Sequence, residues 1–221
     1  MNPVYYPAFL NLEGKKCIVV GGGKVAERKV ASLLKSRARV LVISPDLTAT
    51  LMRYKAAKTI RHSAREYRAG DLKGAFLVIA ATSDDLVNRD ISRNAGGLVN
   101  VVDVPELANF ILPAVVNHGP LTIAVSTGGA SPAMAASVRR ELEQFYSADF
   151  GAYLMFLGKL RKDIIEAIAD KEARESFFIE AASAEVFDLL RAEGFRKARN
   201  SIMEKLRKMQ IKSAAGPVKK K

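Results

Sequence analysis

The sequence predicts an α/β chain in three parts: a doubly wound parallel-sheet domain, a β-hairpin with one helix, and a helical C-terminal domain. Three observations carry this. A short apolar run ends at Gly21-Gly22-Gly23 and resumes at once with helical composition. Strand and helix patterns then alternate as far as Asp103. Beyond Phe150 the apolar residues recur almost wholly at helical spacing.

Taken in order, Lys16 to Val20 is a β-branched strand, and Lys24 to Leu34 is the helix that follows the glycine turn. Arg39 to Ile43, closed by Ser44-Pro45-Asp46, is the second strand and completes a βαβ unit. A helix over Leu47 to Ala57 and strands near Thr59 to His62 and at Ala75 to Thr82 come next. The helix Asp84 to Asn94 then leads into the strand Leu98 to Asp103. After Pro105 the pattern changes. Asn109 to Val116 and Leu121 to Thr127 read as antiparallel strands separated by Asn117-His118-Gly119-Pro120. Ser131-Pro132 pairs an N-cap with a proline at the first helical position, which starts a helix to about Tyr146. Apolar stripes at Leu154, Leu157, Ile164, Ile165 and Ile168, then Val186, Leu189 and Leu190, then Ile202, Leu206 and Met209 mark the C-terminal helices. The expected divisions are a doubly wound domain over 1–112, a hairpin and helix over 113–147, a helical domain over 148–212, and a disordered basic tail over 213–221.

Composition narrows the function classes. With 221 residues, 49% hydrophobic and 26% charged, the chain is an ordinary globular protein. Its single cysteine, Cys17, excludes a disulfide framework and reads as a small core residue in a reducing compartment. One Cys and two His, His62 and His118, cannot build a structural zinc site, so no metal ligand is assigned. The apolar runs Phe76 to Ala81 and Ile111 to Val116 are far short of the roughly 20 residues that span a bilayer, so no membrane partner is expected. Met1 to Leu12 lacks the pattern of a secretory signal, which makes the cytoplasm the expected location. The net charge of +12 favours an anionic partner and is divided as +6 over residues 1–150 and +6 over 151–221. No nucleic-acid partner is expected, because residues 151–221 show neither a helix-turn-helix nor an aromatic-basic stacking pattern.

The first chemical signal is the run from Gly21 to Ala26, which fits G-x-G-x-x-A. In a Rossmann-type dinucleotide site the first glycine makes the tight turn, the second lets pyrophosphate approach the backbone, and the small sixth residue packs helix on strand. The helix N-terminus then offers amide donors and the positive end of its dipole. The expected cofactor residues are therefore Gly21, Gly22, Gly23, Lys24 and Val25 in the first turn, with Ser44, Pro45 and Asp46 at the second strand tip, and Ala81 and Thr82 at a third tip. One feature departs from the fingerprint. The acid that holds the adenosine ribose is missing at the second strand tip, where Ile43 and Ser44 stand, with Asp46 two residues further on. No Arg lies immediately there to take a 2′-phosphate, which favours NAD over NADP.

Asp103 closes another strand, at the end where a nicotinamide ring would lie. A carboxylate there could take a proton from a substrate as hydride leaves. From position alone, an Asp that caps the turn before Pro105 is an equal reading.

Four segments together resemble the precorrin-2 dehydrogenase family: Gly21 to Lys29, Asn100 to Pro105, Phe110 to Ala114, and Ser126 to Pro132. The family includes stand-alone dehydrogenases and the N-terminal half of bacterial sirohaem synthase. The resemblance runs from about Tyr6 through the helix after Pro132. It implies NAD-dependent oxidation of precorrin-2, an anionic tetrapyrrole, to sirohydrochlorin, on the way to sirohaem and in some organisms cobalamin. It implies that Asp103 is the catalytic carboxylate and that Asn100 and Thr127 line the tetrapyrrole cleft. Fused members often carry Ser where Thr127 stands, so the hydroxyl is kept and a methyl is added. It also implies a homodimer in which the hairpin exchanges contacts. The methyltransferase half of the fused synthase does not fit in 221 residues.

Two alternatives stand beside this. One adds Fe²⁺ insertion into sirohydrochlorin, which needs only Asp103 from the protein. The other is a non-catalytic NAD-binding sensor whose basic helical end meets a partner. His118, in a turn, and His62, near a strand, are read as structural, and Arg28 and Lys29 as a solvated helix face.

Overall fold

The computed structural model describes residues 4–214. They fall into two compact units, divided between Leu112 and Pro113.

The first unit is built on a five-stranded sheet in the order β3-β2-β1-β4-β5, every neighbouring pair parallel. The strands are β1 (Lys16–Val20), β2 (Arg39–Ile43), β3 (Ile60–Ser63), β4 (Leu77–Ala80) and β5 (Leu98–Val101). Helices α1 (Lys24–Lys35) and α2 (Ala49–Ala56) connect the first three, and α3 (Asp85–Asn94) connects β4 to β5. β1 and β4 carry apolar residues at almost every position because both sheet faces are covered. On one face Cys17, Val19, Val40 and Val42 pack with Ala26, Val30 and Leu33 of α1. On the other, Ile18, Val20, Val78 and Val99 pack with Leu72 and with Ile91 of α3. At about 25 cal/mol per Å² of apolar area, these two layers are the main stabilising term of the unit. Cys17 is fully buried, and burial pushes its thiol up to about 11.

β4 and β5 are shorter than the periodicity suggests, and after β5 Val102 and Asp103 belong to a turn. β5 stops at Val101, and a single 3₁₀ turn, Pro105–Leu107, follows. Asn109 then comes back alongside β5. Its amide nitrogen donates to the Val99 carbonyl (3.0 Å), its Oδ1 accepts from Val99 N–H (2.8 Å), and its Nδ2 donates to the Gly97 carbonyl (2.9 Å). Asn109 is therefore a brace on the open edge of the sheet and not the start of a hairpin strand.

The second unit holds the antiparallel pair β6 (Ala114–His118) and β7 (Leu121–Val125), which is two residues tighter than expected, since His118 pairs with Leu121 directly across Gly119-Pro120. Pro113 sets where β6 begins, having no N–H to give to a ladder. Five helices follow: α4 (Pro132–Phe145), α5 (Ala148–Ala167), α6 (Lys171–Glu180), α7 (Ala184–Glu193) and α8 (Phe195–Ala214). Ser131 caps α4, its hydroxyl accepting from Met134 N–H at 3.2 Å. Phe150, Tyr153, Ile164, Phe177, Leu190 and Ile202 form the core of α5–α8, where the Tyr153 hydroxyl donates to the Ala181 carbonyl at 2.9 Å. α8 takes in Ser213 and Ala214, the first two residues of the expected tail; 215–221 lie outside the described residues. Among the described residues no helix is long and apolar enough to cross a membrane.

Candidate functional site

The carboxyl ends of β1, β2 and β4 meet around the glycine turn. Gly21 has φ +119° and donates its N–H to the Ile43 carbonyl at 2.9 Å, which ties the turn to the tip of β2. A Cβ here would strike the Ala81 carbonyl, so no other residue lets the tips of β1 and β4 close together. A Cβ on Gly22 would strike the Asp46 carbonyl and lie 2.7 Å from Ser44 Oγ. Gly22 is locked in from the β2 side as well, with its carbonyl accepting from Thr48 N–H at 3.1 Å. Gly23 differs. It is the N-cap of α1, has open space where its side chain would be, and no side chain caps the helix. The first amides of α1 are left facing that opening.

Five of the expected cofactor residues, Gly21, Gly22, Ser44, Asp46 and Ala81, thus form one cradle around a free helix N-terminus. A dinucleotide pyrophosphate fits this arrangement, because the backbone is uncovered at Gly23 and, among the described residues, no side chain caps the amides. Lys24 and Val25 are exposed on the first turn of α1, and Pro45 is exposed beside buried Ser44. Glu27, one turn in, has a carboxyl held below its ordinary range by the Thr48 hydroxyl and then by the Lys24 ammonium, which lies 3.5 Å away. His62 Nε2 lies 2.8 Å from the Ser44 carbonyl, so it supports the β2 tip from β3.

Thr82 sits just past β4. Its hydroxyl donates to Asn88 Oδ1 (2.9 Å) and accepts from Asp84 N–H (3.2 Å), and Asn88 Nδ2 donates back to the Thr82 carbonyl (3.1 Å). Asp84 caps α3 by accepting from Leu86 and Val87 N–H. Asn88, 4% exposed, supports the end of β4 and is not among the residues the sequence singled out. A polar residue on the inner face of an amphipathic helix is the signal that could have found it.

Asp103 stands past the end of β5 with φ +61°, a left-handed conformation that few non-glycine residues adopt. It is exposed, and among the described residues its carboxylate has neither an ion pair nor a hydrogen-bond donor. The cap reading finds no support in this geometry: the residue before the 3₁₀ turn is Val104, and no side chain caps it. A strained, unpartnered carboxylate at a strand tip is a pattern that active sites keep. Asn100, three residues earlier, is half-buried and donates its Nδ2 to the Phe110 carbonyl at 3.0 Å, so one end of its amide is used to hold the returning chain.

Thr127 belongs to the second unit, in the loop before α4. Its hydroxyl donates to the Ser131 carbonyl (3.0 Å) and accepts from Ser131 N–H (3.1 Å), closing the loop on itself. His118 is half-buried at the end of β6. Of the two basic residues read as a solvated face, Arg28 is exposed but Lys29 is half-buried, with its ammonium held below its ordinary range by burial first and then by Arg28. Among the described residues no group of three or more His, Cys, Asp or Glu could hold a metal ion. One cavity of about 360 Å³ lies at the opposite, amino-terminal ends of β1–β3, lined by Lys16, Arg39, Lys58 and Arg61 among others, away from this crevice.

Comparison with known proteins agrees with this geometry. Residues 8–114 match a family described as putative NAD(P)-binding, and residues 118–144 match one described as the sirohaem biosynthesis protein central region. The siroheme synthase of Methylobacillus flagellatus is 42% identical over 175 residues, which cover 78% of this chain and 38% of that protein. The siroheme synthase of Thioalkalivibrio sulfidiphilus is 38% identical over 206 residues, 90% of this chain and 42% of that protein. The chain therefore spans about two fifths of the length of these relatives. Among solved structures, a precorrin-2 dehydrogenase, SirC, superposes with a TM-score of 0.76 at 26% identity, covering 90% of this chain and all of that one. With the glycine cradle, the hairpin and the C-terminal helices all in place, the chain belongs to the precorrin-2 dehydrogenase family.

Proposed function

We propose that this chain oxidises precorrin-2 to sirohydrochlorin with NAD as the oxidant, for sirohaem and in some settings cobalamin. The observation that carries the reading is the pair of features at the carboxyl edge of one sheet: free amides at Gly23 and an unpartnered carboxylate at Asp103. Gly21 to Val25 would hold the pyrophosphate, with Ser44, Pro45 and Asp46 on the adenosine side and Ala81 and Thr82 beside the β4 tip. NAD supplies the hydride acceptor. Loss of one hydride and one proton from a saturated carbon pair leaves a double bond, and Asp103 accepts the proton and passes it to solvent. Asn100, through its Oδ1 end, and Thr127 would position the tetrapyrrole. Its many carboxylates suit a chain of net charge +12.

The working form in this reading is a cytoplasmic homodimer. Val115 on β6 and Met134 on α4 are exposed apolar side chains of the second unit, 43% and 57% accessible, as expected of a hairpin and helix that meet another copy. The divisions that follow are 1–112 for NAD, 113–147 for dimerisation and 148–212 for the helical domain. Analytical ultracentrifugation decides the dimer.

The activity is tested anaerobically with freshly generated precorrin-2 and NAD, following NADH and sirohydrochlorin absorbance together and then adding Co²⁺ or Fe²⁺. Equal rates of NADH and sirohydrochlorin formation establish the dehydrogenase. Metal uptake faster than the protein-free rate adds chelation to it. A folded, NAD-binding protein without turnover would leave the sensor reading in its place.

A further inference from the structure

We propose that the cavity at the amino-terminal ends of β1–β3 is a binding site for a small polyanion, one that carries two or more carboxylate or phosphate groups. A parallel crossover usually lays a helix on the sheet. Between β3 and β4, however, residues 64–76 form no helix, and the segment reaches the apolar layer through Tyr67, Leu72 and Ala75. A cavity of about 360 Å³ is left at the foot of the first three strands. Leu41 packs in the same apolar layer, and Arg39, two residues earlier, shares its side of the sheet. Lys16 is the register partner of Arg39 on β1, and Arg61 is that of Leu41 on β3. Three cations thus stand on one sheet face around Leu41. Lys58 joins them from the turn between α2 and β3, where its φ is +57°.

Nine residues line the cavity, of which four are cations and none is an acid. Among the described residues none of the four belongs to an ion pair within 4.0 Å. Like charges side by side on neighbouring strands repel, so an anion between them relieves a cost that the lining itself does not offset. Two of the cations are fixed in direction by backbone carbonyls. Lys16 Nζ donates to the Lys73 carbonyl at 2.6 Å, and Arg39 Nε donates to the Gly14 carbonyl at 2.7 Å. The terminal nitrogens of Arg39 and the whole guanidinium of Arg61 keep their donors, whose fork matches the paired oxygens of a carboxylate or phosphate. The volume lies in the lower part of the range of small-molecule sites, which suits a compact ligand better than the face of a macromolecule. The site is separate from the glycine cradle. β1 and β2 begin at the cavity with Lys16 and Arg39 and end at the cradle with Val20 and Ile43, about 13 Å away at 3.3 Å per residue.

The test uses the full chain in a phosphate-free buffer of low ionic strength, with inorganic pyrophosphate and citrate titrated separately in a calorimeter. At least one of the two should bind with a Kd below about 1 mM. In Arg39→Gln/Arg61→Gln its affinity should fall about tenfold or more, since two guanidinium contacts are lost. In Lys159→Gln/Lys162→Gln, which removes the same charge from exposed positions on α5, it should fall less than about twofold. Tighter binding of pyrophosphate identifies a phosphate ligand, and tighter binding of citrate a carboxylate one. No binding of either probe overturns the site. An equal loss in both double variants also overturns it, being the mark of net charge alone. Full affinity in Arg39→Gln/Arg61→Gln does the same, because the anion then sits elsewhere, as at the free amides of α1. If circular dichroism shows that double variant unfolded, Lys58→Gln and Arg61→Gln, both at exposed positions, carry the decision singly. Each should weaken binding about threefold or more, and full affinity in both overturns the site.

Discussion

Thr82 and Asn88 hold each other from both ends: the Thr82 hydroxyl donates to Asn88 Oδ1 at 2.9 Å, and Asn88 Nδ2 donates to the Thr82 carbonyl at 3.1 Å. The pair joins the tip of β4 to the first turns of α3, one residue from the Ala81 carbonyl against which Gly21 is packed. Asn88 is almost fully buried, so Asn88→Ala leaves polar groups on Thr82 unmatched. Chemical denaturation should show a loss of about 1–3 kcal/mol. Calorimetry should show weaker NAD binding, because the loop beside the cradle loses its brace.

The glycines of the turn separate fold from binding. Gly21→Ala introduces a Cβ into the Ala81 carbonyl at a φ of +119°, and should cost about 3 kcal/mol or more of stability, read from the denaturation midpoint. Gly23→Ala meets open space and should change stability by less than about 1 kcal/mol. It places a methyl where the pyrophosphate must approach, so NAD affinity should still fall. A Gly23→Ala protein that binds NAD normally would move the phosphate site elsewhere.

Asp103 carries the proton transfer in the proposed reaction, and Asp103→Asn tests it at constant shape. Asn tolerates a left-handed φ as well as Asp does, so the fold should be retained. Dehydrogenase turnover should drop by about 10²-fold or more while NAD still binds. Full turnover would remove Asp103 from the mechanism.

The parallel sheet was legible because β1, β2 and the glycine turn combine a strand period, a turn signal and a helix period in one stretch. The cradle was legible for the same reason, since Gly21, Ser44 and Ala81 are strand ends and strand ends are set by the alternation. What could not be read were contacts that link distant segments. Asn109 reads as the beginning of a strand, yet its side chain binds the backbone of Gly97 and Val99, and nothing in its local sequence marks that return. Lys29 looks like one more charge on a helix surface. It is half-buried, and Val102 packs against the cluster that holds its neighbour Val30, a contact that no local pattern marks. The hairpin was placed correctly, but its outer ends were drawn too long, where Pro113 stops β6, and its turn two residues too wide, because His118 pairs directly with Leu121.

Cys17 gives a prediction that depends on pH. Its thiol is fully buried among Val19, Val40 and Leu77, and burial raises it from the ordinary range to about 11. A thiol raised in the folded state keeps its proton there while the unfolded chain has already lost it. The contribution to stability is thus complete below the unfolded pKa of about 8.5 and is lost as pH rises toward 11. At about 1.4 kcal/mol per pH unit, the loss attributable to Cys17 is about 3 kcal/mol by pH 11. Urea midpoints measured at pH 7.5 and 10.5 should fall more steeply for the native chain than for Cys17→Ala, even though the variant starts lower because of its cavity. Equal slopes would mean that the thiol ionises without leaving the core. Thiol reagents at pH 8 should likewise leave Cys17 unmodified until the first unit unfolds.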